Sequence, residues 1–321
     1  MEDYSNISRS ITTFTLLGFP TSRPVQSLLF FIFFFTYLLT IVENLLIIIV
    51  IWTTSKLHKP MYFFLGHLAF LEAWYVTVTV PQLLAIFLVN SKTISVTACM
   101  TQLYFFIALV CTECVLLTVM AYDRYVAICS PLHYITTMNW NSCIFLALGS
   151  WFIGFIMSFI KVYYISHVTF CHSDVINHFY CDISPILNLA CTDRRLAELV
   201  DFILALLILL VSLLLTCISY SHILGTILSI PTSTGRKKAF STCASHLVVV
   251  VIFYGATLFM YARPSRARSV DSNKLVSVIY TVITPLLNPI IYCLRNKEVQ
   301  EIIWKYLEQK AAELISVAKR K

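Results

Sequence analysis

One of the long apolar stretches of this chain ends in the run Met120-Ala121-Tyr122-Asp123-Arg124-Tyr125-Val126-Ala127-Ile128-Cys129. A carboxylate or a guanidinium at the centre of a bilayer costs about 2.5–3.5 kcal/mol on insertion scales, so chains retain such groups mainly for a function. We therefore expect Asp123, Arg124 and Tyr125 to form a latch on the cytoplasmic side of a helical bundle. A boundary cluster whose charged ends reach into the interface is the alternative.

The composition is that of a membrane protein. The chain has 321 residues, of which 59% are hydrophobic and 12% are charged, and its mean hydropathy is +0.81. A soluble domain carries about 25% charged residues. The composition therefore predicts an all-α membrane protein with several spans and no large soluble domain.

Seven apolar runs are long enough to cross a membrane, since about 20 helical residues span the hydrocarbon. They predict a seven-transmembrane helix bundle over residues 28–294, preceded by a polar tail of residues 1–27 and followed by a tail of residues 295–321. The runs are Leu28–Trp52, Met61–Leu88, Thr97–Ala121, Cys143–Tyr163, Leu199–Ile223, Phe240–Tyr261 and Leu275–Leu294.

The tail after Asn296 has the pattern of a short amphipathic C-terminal helix. Apolar residues recur at helical spacing, while Lys305 and Lys310 fall on other faces. This pattern predicts a helix that lies along the inner membrane surface in contact with lipid, and a solvated helical tail is the alternative. The apolar positions are Val299, Ile302, Ile303, Tyr306 and Leu307.

The charge distribution predicts an N-terminus outside and a C-terminus in the cytoplasm. Lysines and arginines cluster between spans one and two, after span three, before span six and after span seven, as cytoplasmic loops do. The segment 262–274 disagrees, because it carries three arginines and Lys274 on the predicted outer side. Asn6-Ile7-Ser8 is a glycosylation tripeptide, and its use would place the first tail outside a plasma membrane.

Four of the eleven cysteines fall in predicted outer regions. In an oxidising compartment this even number indicates two disulfides, and the residues alone leave all three pairings open. His172 and His178 lie near two of these cysteines, but their spacing matches no zinc pattern, so neither a metal site nor a cofactor is predicted. The four cysteines are Cys99, Cys171, Cys181 and Cys191.

The run Met120–Cys129 resembles the run that follows the third span of olfactory receptors, within the rhodopsin-like G-protein-coupled receptors. Three further stretches agree with that family in order and position, so the resemblance covers nearly the whole chain. They are LHKPMYFFL (Leu57–Leu65), KAFSTCASHL (Lys238–Leu247) and PLLNPIIYCLRNK (Pro285–Lys297).

The resemblance implies an odorant receptor rather than an enzyme. It implies that a small volatile odorant binds within the bundle and that the chain activates the stimulatory olfactory G protein, which raises cyclic AMP. It also selects the disulfides Cys99–Cys181 and Cys171–Cys191. A seven-helix receptor for another small ligand, expressed outside the nose, is the alternative.

A channel or a transporter is a weaker reading. The sequence shows neither a filter segment or charged pore ring, as a channel requires, nor the inverted repeats of many transporters. Nothing in it indicates a nucleic-acid partner.

Arg124 is the predicted switch, because its guanidinium needs an anionic or carbonyl partner near the inner face. Asp123 is the nearest such partner, and Tyr220 near the end of span five is the alternative. Many rhodopsin-like receptors hold this arginine with an acid at the base of span six. This chain has the basic run Arg236–Lys238 there, so that ion pair cannot form.

Span seven carries a second candidate for movement. Pro289 has no N–H and therefore frees a backbone carbonyl, for which Asn288 is well placed as a partner. By resemblance, Asn288, Pro289 and Tyr292 rearrange on activation. A tolerated kink is the plain alternative, because proline is frequent in membrane helices.

Two acids lie inside predicted spans, Glu72 in span two and Glu113 in span three, with Asn44 and Asn288 as expected neighbours. Intramembrane acids usually face the bundle interior and pair. They predict either a cation or proton site, with sodium as the cation by resemblance, or two protonated carboxyls that share hydrogen bonds. Glu43 departs from the family, which usually has a small residue at that position.

The ligand pocket is predicted from helical spacing, because its positions on span three share one face and similar faces occur on spans five, six and seven. Such a pocket is apolar, with a few hydroxyls and no evident charged anchor, which favours neutral, hydrophobic volatiles. For any single residue, helix–helix packing is the alternative. The candidates are Leu103, Phe106, Ile107, Val110, Cys111, Leu204, Ile208, Tyr254, Thr257, Leu258, Tyr261, Val278 and Thr281.

Overall fold

A computed structural model of the chain describes residues 11–89, 92–171, 173–261, 270–295, 299–306 and 308. Several predicted features lie outside these residues, namely the glycosylation site Asn6, the loop residue His172, the arginines between spans six and seven, and Leu307 and Lys310 of the tail. The side chains of Tyr261 and Tyr292 are also outside the described part.

The chain is mostly helical. A 3₁₀ turn at Ser55–Leu57 follows the first helix, and a π-helical turn at Ile279–Ile283 joins the last two named helices into one continuous segment. The helices are α1 (Arg23–Thr53), α2 (Pro60–Val89), α3 (Val96–Cys129), α4 (Tyr134–Thr137), α5 (Trp140–Ser166), α6 (Ile183–Leu187), α7 (Arg195–Ser229), α8 (Ser233–Tyr261), α9 (Val270–Val278) and α10 (Thr284–Arg295).

Six helical segments within the described residues are long and apolar enough to cross a membrane. They are α1, α2, α3, α5, α7 and the segment Lys274–Ile291, whereas α8 contributes the shorter apolar stretch His246–Leu258. The seventh predicted run therefore corresponds to a helix whose first half is polar, because α8 opens with STGRKKAFSTCASH. A helix can continue beyond the hydrocarbon, so its length and its apolar length differ.

The same distinction explains the early start of α1. The helix begins at Arg23 rather than at Leu28, because Pro24 suits a first helical turn and Ser22 precedes it in extended conformation. Hydropathy marks the apolar part of a helix and not its capping turn.

The central helix of the bundle is α3. In its most apolar window 72% of the residues are buried, against 28% for α1, α5 and α7, and it packs mainly on α5, α7 and α2. Large apolar side chains on the outer helices remain exposed, such as Phe35 at 62% and Leu214 at 61%. An exposed apolar surface of this extent fits a lipid environment.

A glycine sets the close contact between α3 and α5. A Cβ added at Gly154 would overlap the hydroxyl of Thr112 and would lie 2.6 Å from the carbonyl oxygen of Ala108. Small residues at such contacts let membrane helices approach closely.

A small sheet at the other end of α3 from Arg124 departs from the all-α prediction. It has the order β2-β1-β3, in which β1 (Thr13–Leu16) pairs antiparallel with β2 (Lys92–Ser95) and parallel with β3 (Val175–Ile176). Phe14 and Leu16 alternate into the core and are fully buried. Period-two alternation is therefore present here, in a strand too short to stand out from the polar tail.

Residues 299–306 are helical. Val299 is buried, and Ile302, Ile303 and Tyr306 pack half-buried against the core, while Trp304 is 66% exposed. The described part of the tail thus has one apolar face turned to the protein.

Candidate functional site

A small cavity lies between α3, α5, α7 and α8. About 20 Å³ of it is open to the centre of a water molecule, which is room for one water. Six predicted ligand contacts lie in its wall, and four wall residues were not predicted. The first set is Phe106, Ile107, Val110, Cys111, Ile208 and Thr257, and the second is Cys114, Lys161, Ala205 and Leu209.

The other predicted pocket residues lie elsewhere among the described residues. Leu103 and Thr281 are fully buried, and Tyr254 is buried with its hydroxyl donating to the carbonyl oxygen of Cys114 at 3.4 Å. Leu204 and Val278 are half-buried outside the cavity wall, and Leu258 is 37% exposed. Helical spacing selected the correct face of α3, but it does not tell how deeply each neighbouring helix overlaps that face.

The cavity wall contains a charged residue, where the sequence predicted none. Lys161 of α5 is 3% exposed, and its Nζ lies 2.8 Å from Oδ1 of Asp201 in α7. The sequence signal was a lysine inside span four and an acid inside span five. We missed it because each lies near the edge of its apolar run, where charged residues commonly reach the interface.

Two disulfides hold the loop between α5 and α7 beside the cavity. Cys99 at the start of α3 is joined to Cys181, with Cα atoms 5.6 Å apart, and Cys171 is joined to Cys191, with Cα atoms 5.8 Å apart. The backbone N–H of Cys181 also donates to Oε1 of Gln102 at 3.0 Å. These are the pairings that the family resemblance implied.

The loop lies directly on the cavity wall. The ring of Tyr180 is 4.8 Å from the ring of Phe106, and its hydroxyl bonds the hydroxyl of Tyr280. We call residues 175–182 together with β1 and β2 the lid, because they cover the end of the bundle that contains the two disulfides.

A buried cluster joins the lid to α9. Nζ of Lys274 donates to the carbonyl oxygen of Gly18 at 2.5 Å and to Oδ1 of Asn177 at 2.6 Å. Nε2 of His178 lies 3.3 Å from Oγ of Ser277. Burial and the positive charge of Lys274 lower the pKa of His178 to about 3.

Hydroxyl groups connect the helices below the cavity. Oγ1 of Thr118 donates to the backbone oxygen of Ser212 at 3.3 Å, and Oγ1 of Thr216 lies 3.5 Å from Oγ1 of Thr118. These contacts join α3 to α7, and the bond from Tyr254 to Cys114 joins α8 to α3. Movement of one helix at the cavity is therefore felt by the other two.

Asp123 and Arg124 bond each other at the far end of α3. Nε of Arg124 donates to Oδ2 of Asp123 at 2.9 Å, and the hydroxyl of Tyr134 donates to Oδ1 at 2.8 Å. Burial and the charge of Asp123 raise the pKa of Tyr134. Tyr134 was not predicted, because nothing in a short loop helix shows which carboxylate it will face.

Tyr220 has another partner than the predicted one. Its hydroxyl lies 2.6 Å from Nδ1 of His246 in α8, so among the described residues it does not bond Arg124. The ring of Tyr125 is 5.6 Å from that of His222 in α7. His246 escaped prediction, although it is a histidine inside an apolar stretch.

A buried polar core lies among α1, α2, α3 and α10. Asn288 donates to Oε1 of Glu72, and Asn44 donates to the carbonyl oxygen of Thr40 at 2.8 Å. Four of its oxygens have no hydrogen-bond partner among the described residues, namely Asn44 Oδ1, Glu72 Oε2, Glu113 Oε1 and Asn288 Oδ1. Oε2 of Glu43, farther out on α1, also has none among them.

The comparisons with known proteins agree with this architecture. The profile of the olfactory receptor family matches residues 33–310. Mouse olfactory receptor 6B9 is 58% identical over 305 residues, which are 95% of each chain. Human olfactory receptor 6B1 is 59% identical over 295 residues, covering 92% of this chain and 94% of its own. Human olfactory receptor 6A2 is 55% identical over 306 residues, or 94% and 93% of the two chains. On this identity and coverage, the chain belongs to the olfactory receptor family of G-protein-coupled receptors, which are not enzymes.

Proposed function

We propose that this receptor binds small, mostly apolar volatile odorants in the cavity between α3, α5, α7 and α8 and activates the stimulatory olfactory G protein, which raises cyclic AMP. The family supports an odorant receptor that couples to a G protein. The observation that carries the site is an enclosed, largely apolar cavity beneath a loop stapled by two disulfides.

We further propose seven membrane spans, with α8 as the sixth, an extracellular N-terminus and a cytoplasmic tail helix on the inner plasma-membrane surface. The oxidising side of the membrane suits the disulfide-bonded lid. The exposed basic residues Arg236 and Lys237 at the start of α8 suit the cytoplasmic side. The exposed Trp304 and Lys305 of the tail helix would face lipid headgroups.

An odorant must enlarge the cavity, because its present room accommodates about one water molecule. The wall is formed by side chains of four helices, so enlargement moves at least one of them. The ligand then favours whichever bundle arrangement gives it more room, and this differential affinity shifts the population of states.

The hydroxyl contacts below the cavity carry that shift to the inner end. Displacement of α8 changes the bond from Tyr254 to Cys114 and the bond from Tyr220 to His246. Outward movement of α8 beside Arg124 would open a groove. The C-terminal helix of the Gα subunit would bind in that groove through its apolar face.

The polar core would bias the resting state. Its four unpartnered oxygens are hard ligands of the kind that alkali cations prefer, and two of them are carboxylate oxygens that can also share a proton. Either a sodium ion or a proton would neutralise charge that the bundle otherwise buries. Glu72 and Asn288 would hold the cation from α2 and α10, and Glu113 would hold it from α3.

A cavity-filling variant tests the binding site. Cells expressing the receptor are screened with a panel of volatiles and a cyclic AMP readout, and the best agonist is applied to Ala205→Phe. Ala205 is buried in the wall, so the larger side chain should reduce the response strongly at equal surface expression. Leu206→Phe, at a position 44% exposed on the same helix, should leave the response unchanged. An undiminished response of Ala205→Phe would place the ligand elsewhere.

A further inference from the structure

The Lys161–Asp201 ion pair is the one polar feature of the cavity that spacing on a helix did not foretell. Lys161 lies in the cavity wall itself, 3% exposed, and Asp201 reaches it from α7 at 2.8 Å. The rest of the wall is apolar or weakly polar, with Thr257 carrying a hydroxyl. Any ligand that fills this cavity contacts the ammonium group or its immediate neighbours.

The pair is poorly explained as a device for stability. Removing two charges from water costs several kcal/mol per ion, and apolar residues of similar volume often replace a buried pair without loss of stability. Ionisable residues within membrane segments usually mark a functional site. The helices α5 and α7 also contact each other through other residues.

The ammonium retains hydrogen-bonding capacity. A lysine has three N–H donors and no acceptor. The described residues give its Nζ one hydrogen-bond partner, Asp201. The remaining donors are therefore available to a group that accepts a hydrogen bond from inside the cavity.

The charge of the pair decides which acceptor fits. Asp201 already balances Lys161, so the site has no net charge to offer. A carboxylate ligand would bring an unbalanced negative charge into an apolar cavity, and an amine would bring a positive charge beside Lys161, and both are unfavourable. A neutral carbonyl oxygen accepts from the ammonium and leaves the balance unchanged. An alcohol adds a donor that needs its own partner.

We propose that Lys161, oriented by Asp201, is the polar anchor of the odorant cavity and selects neutral carbonyl compounds over alkanes, amines and carboxylates. This inference rests on the proposed odorant site and specifies the chemistry that the site recognises. The sequence prediction of a cavity without a charged anchor, open to any neutral hydrophobic volatile, is replaced by this narrower class.

The test compares ligands of one length on the full receptor. A straight-chain methyl ketone is applied beside the alkane, the alcohol, the amine and the carboxylate with the same number of carbons, and the half-maximal concentration for cyclic AMP production is measured. The ketone should be the most potent ligand, by at least about tenfold over the alkane, which is the effect of one hydrogen bond to a charged group. Equal potency of the ketone and the alkane on the wild-type receptor would overturn the anchor.

Two variants separate anchoring from packing. Lys161→Met keeps the length of the side chain and should remove the preference for the ketone while the receptor still reaches the surface. Asp201→Asn leaves the charge of Lys161 unbalanced and should increase the relative potency of the carboxylate by about tenfold or more. A merely structural pair would show no such change in ligand preference.

The controls make the failures distinguishable. Glu198→Gln removes an exposed acid of the same helix and should leave the preferences as they are. If Asp201→Asn and Glu198→Gln show identical preferences, the anchor is wrong although the odorant site can stand. If Ala205→Phe responds fully to every member of the series, the site itself is wrong.

Discussion

Lys274 and Gly18 are separated by most of the chain, yet Nζ of the one lies 2.5 Å from the carbonyl oxygen of the other. Gly18 has a φ of +62°, and a Cβ there would lie 2.6 Å from Cγ2 of Ile86, so the position requires glycine. Through this contact the N-terminal segment, the lid loop at Asn177 and the last membrane segment share one buried ammonium. The lid is thus fastened to a helix as well as to the disulfides.

Replacing Lys274 by methionine should loosen the lid. Two buried oxygens would lose their donor, and each unsatisfied buried group costs about 1–3 kcal/mol. We expect a lower unfolding temperature of the purified receptor and reduced surface delivery. Lys56→Met, at an exposed position, serves as the control. Identical unfolding temperatures for the two variants would show that this ammonium does not hold the lid.

Acid should destabilise the lid through His178. Its pKa is lowered to about 3 in the folded protein from an ordinary 6.5, so the folded state favours the neutral ring. Its contribution to stability is therefore full above about pH 6.5 and is lost as the pH falls toward 3. The slope of unfolding temperature against pH in this window should flatten in His178→Gln.

The matched control for that pH series is His167→Gln, at an exposed histidine near the same end of the bundle. It should keep the acid sensitivity of the wild-type receptor. A His178→Gln profile that coincides with the wild-type profile would assign the acid sensitivity to other groups.

The contact between α3 and α5 should tolerate no side chain at Gly154. Gly154→Ala forces a methyl group into the hydroxyl of Thr112 and toward the oxygen of Ala108, which are held by the helix backbone. Overpacking of this kind costs about 1–3 kcal/mol or more. Surface expression, measured by antibody staining of intact cells, should fall sharply. At Gly149 an added Cβ meets nothing within 4 Å, so Gly149→Ala should express normally; equal expression of both variants would contradict the packing described here.

Tyr134 should restrain the latch. Tyr134→Phe removes the hydrogen bond to Asp123, and such a bond to a charged group in the resting bundle shifts the equilibrium by about tenfold or more. Cyclic AMP without odorant should therefore rise. Tyr163→Phe, at a position 50% exposed, should not change it. A basal level unaltered by Tyr134→Phe would mean that the tyrosine has no part in the resting state.

Much of this architecture follows from the sequence because it depends on local patterns. Apolar length located the membrane helices, and helical spacing from Phe106 to Cys111 located the cavity face of α3. The disulfide partners came from resemblance, since spacing alone left three pairings open.

The features that were missed depend on contacts distant in sequence. Lys161 meets Asp201 only because α5 and α7 pack side by side, and His246 meets Tyr220 only across α7 and α8. The strand β1 exists because two other outer segments supply its hydrogen bonds. A single short strand is not stable in isolation, so its own residues indicate it weakly.

The central claim is that a small ligand in the cavity changes the bundle and that a G protein senses the change at Arg124. The most direct measurement is nucleotide exchange on purified Gα by the receptor reconstituted in lipid, with and without an agonist ketone. The agonist should accelerate exchange on the wild-type receptor and not on Arg124→Ala. Exchange that is equal with and without agonist, or that persists undiminished in Arg124→Ala, would contradict the account.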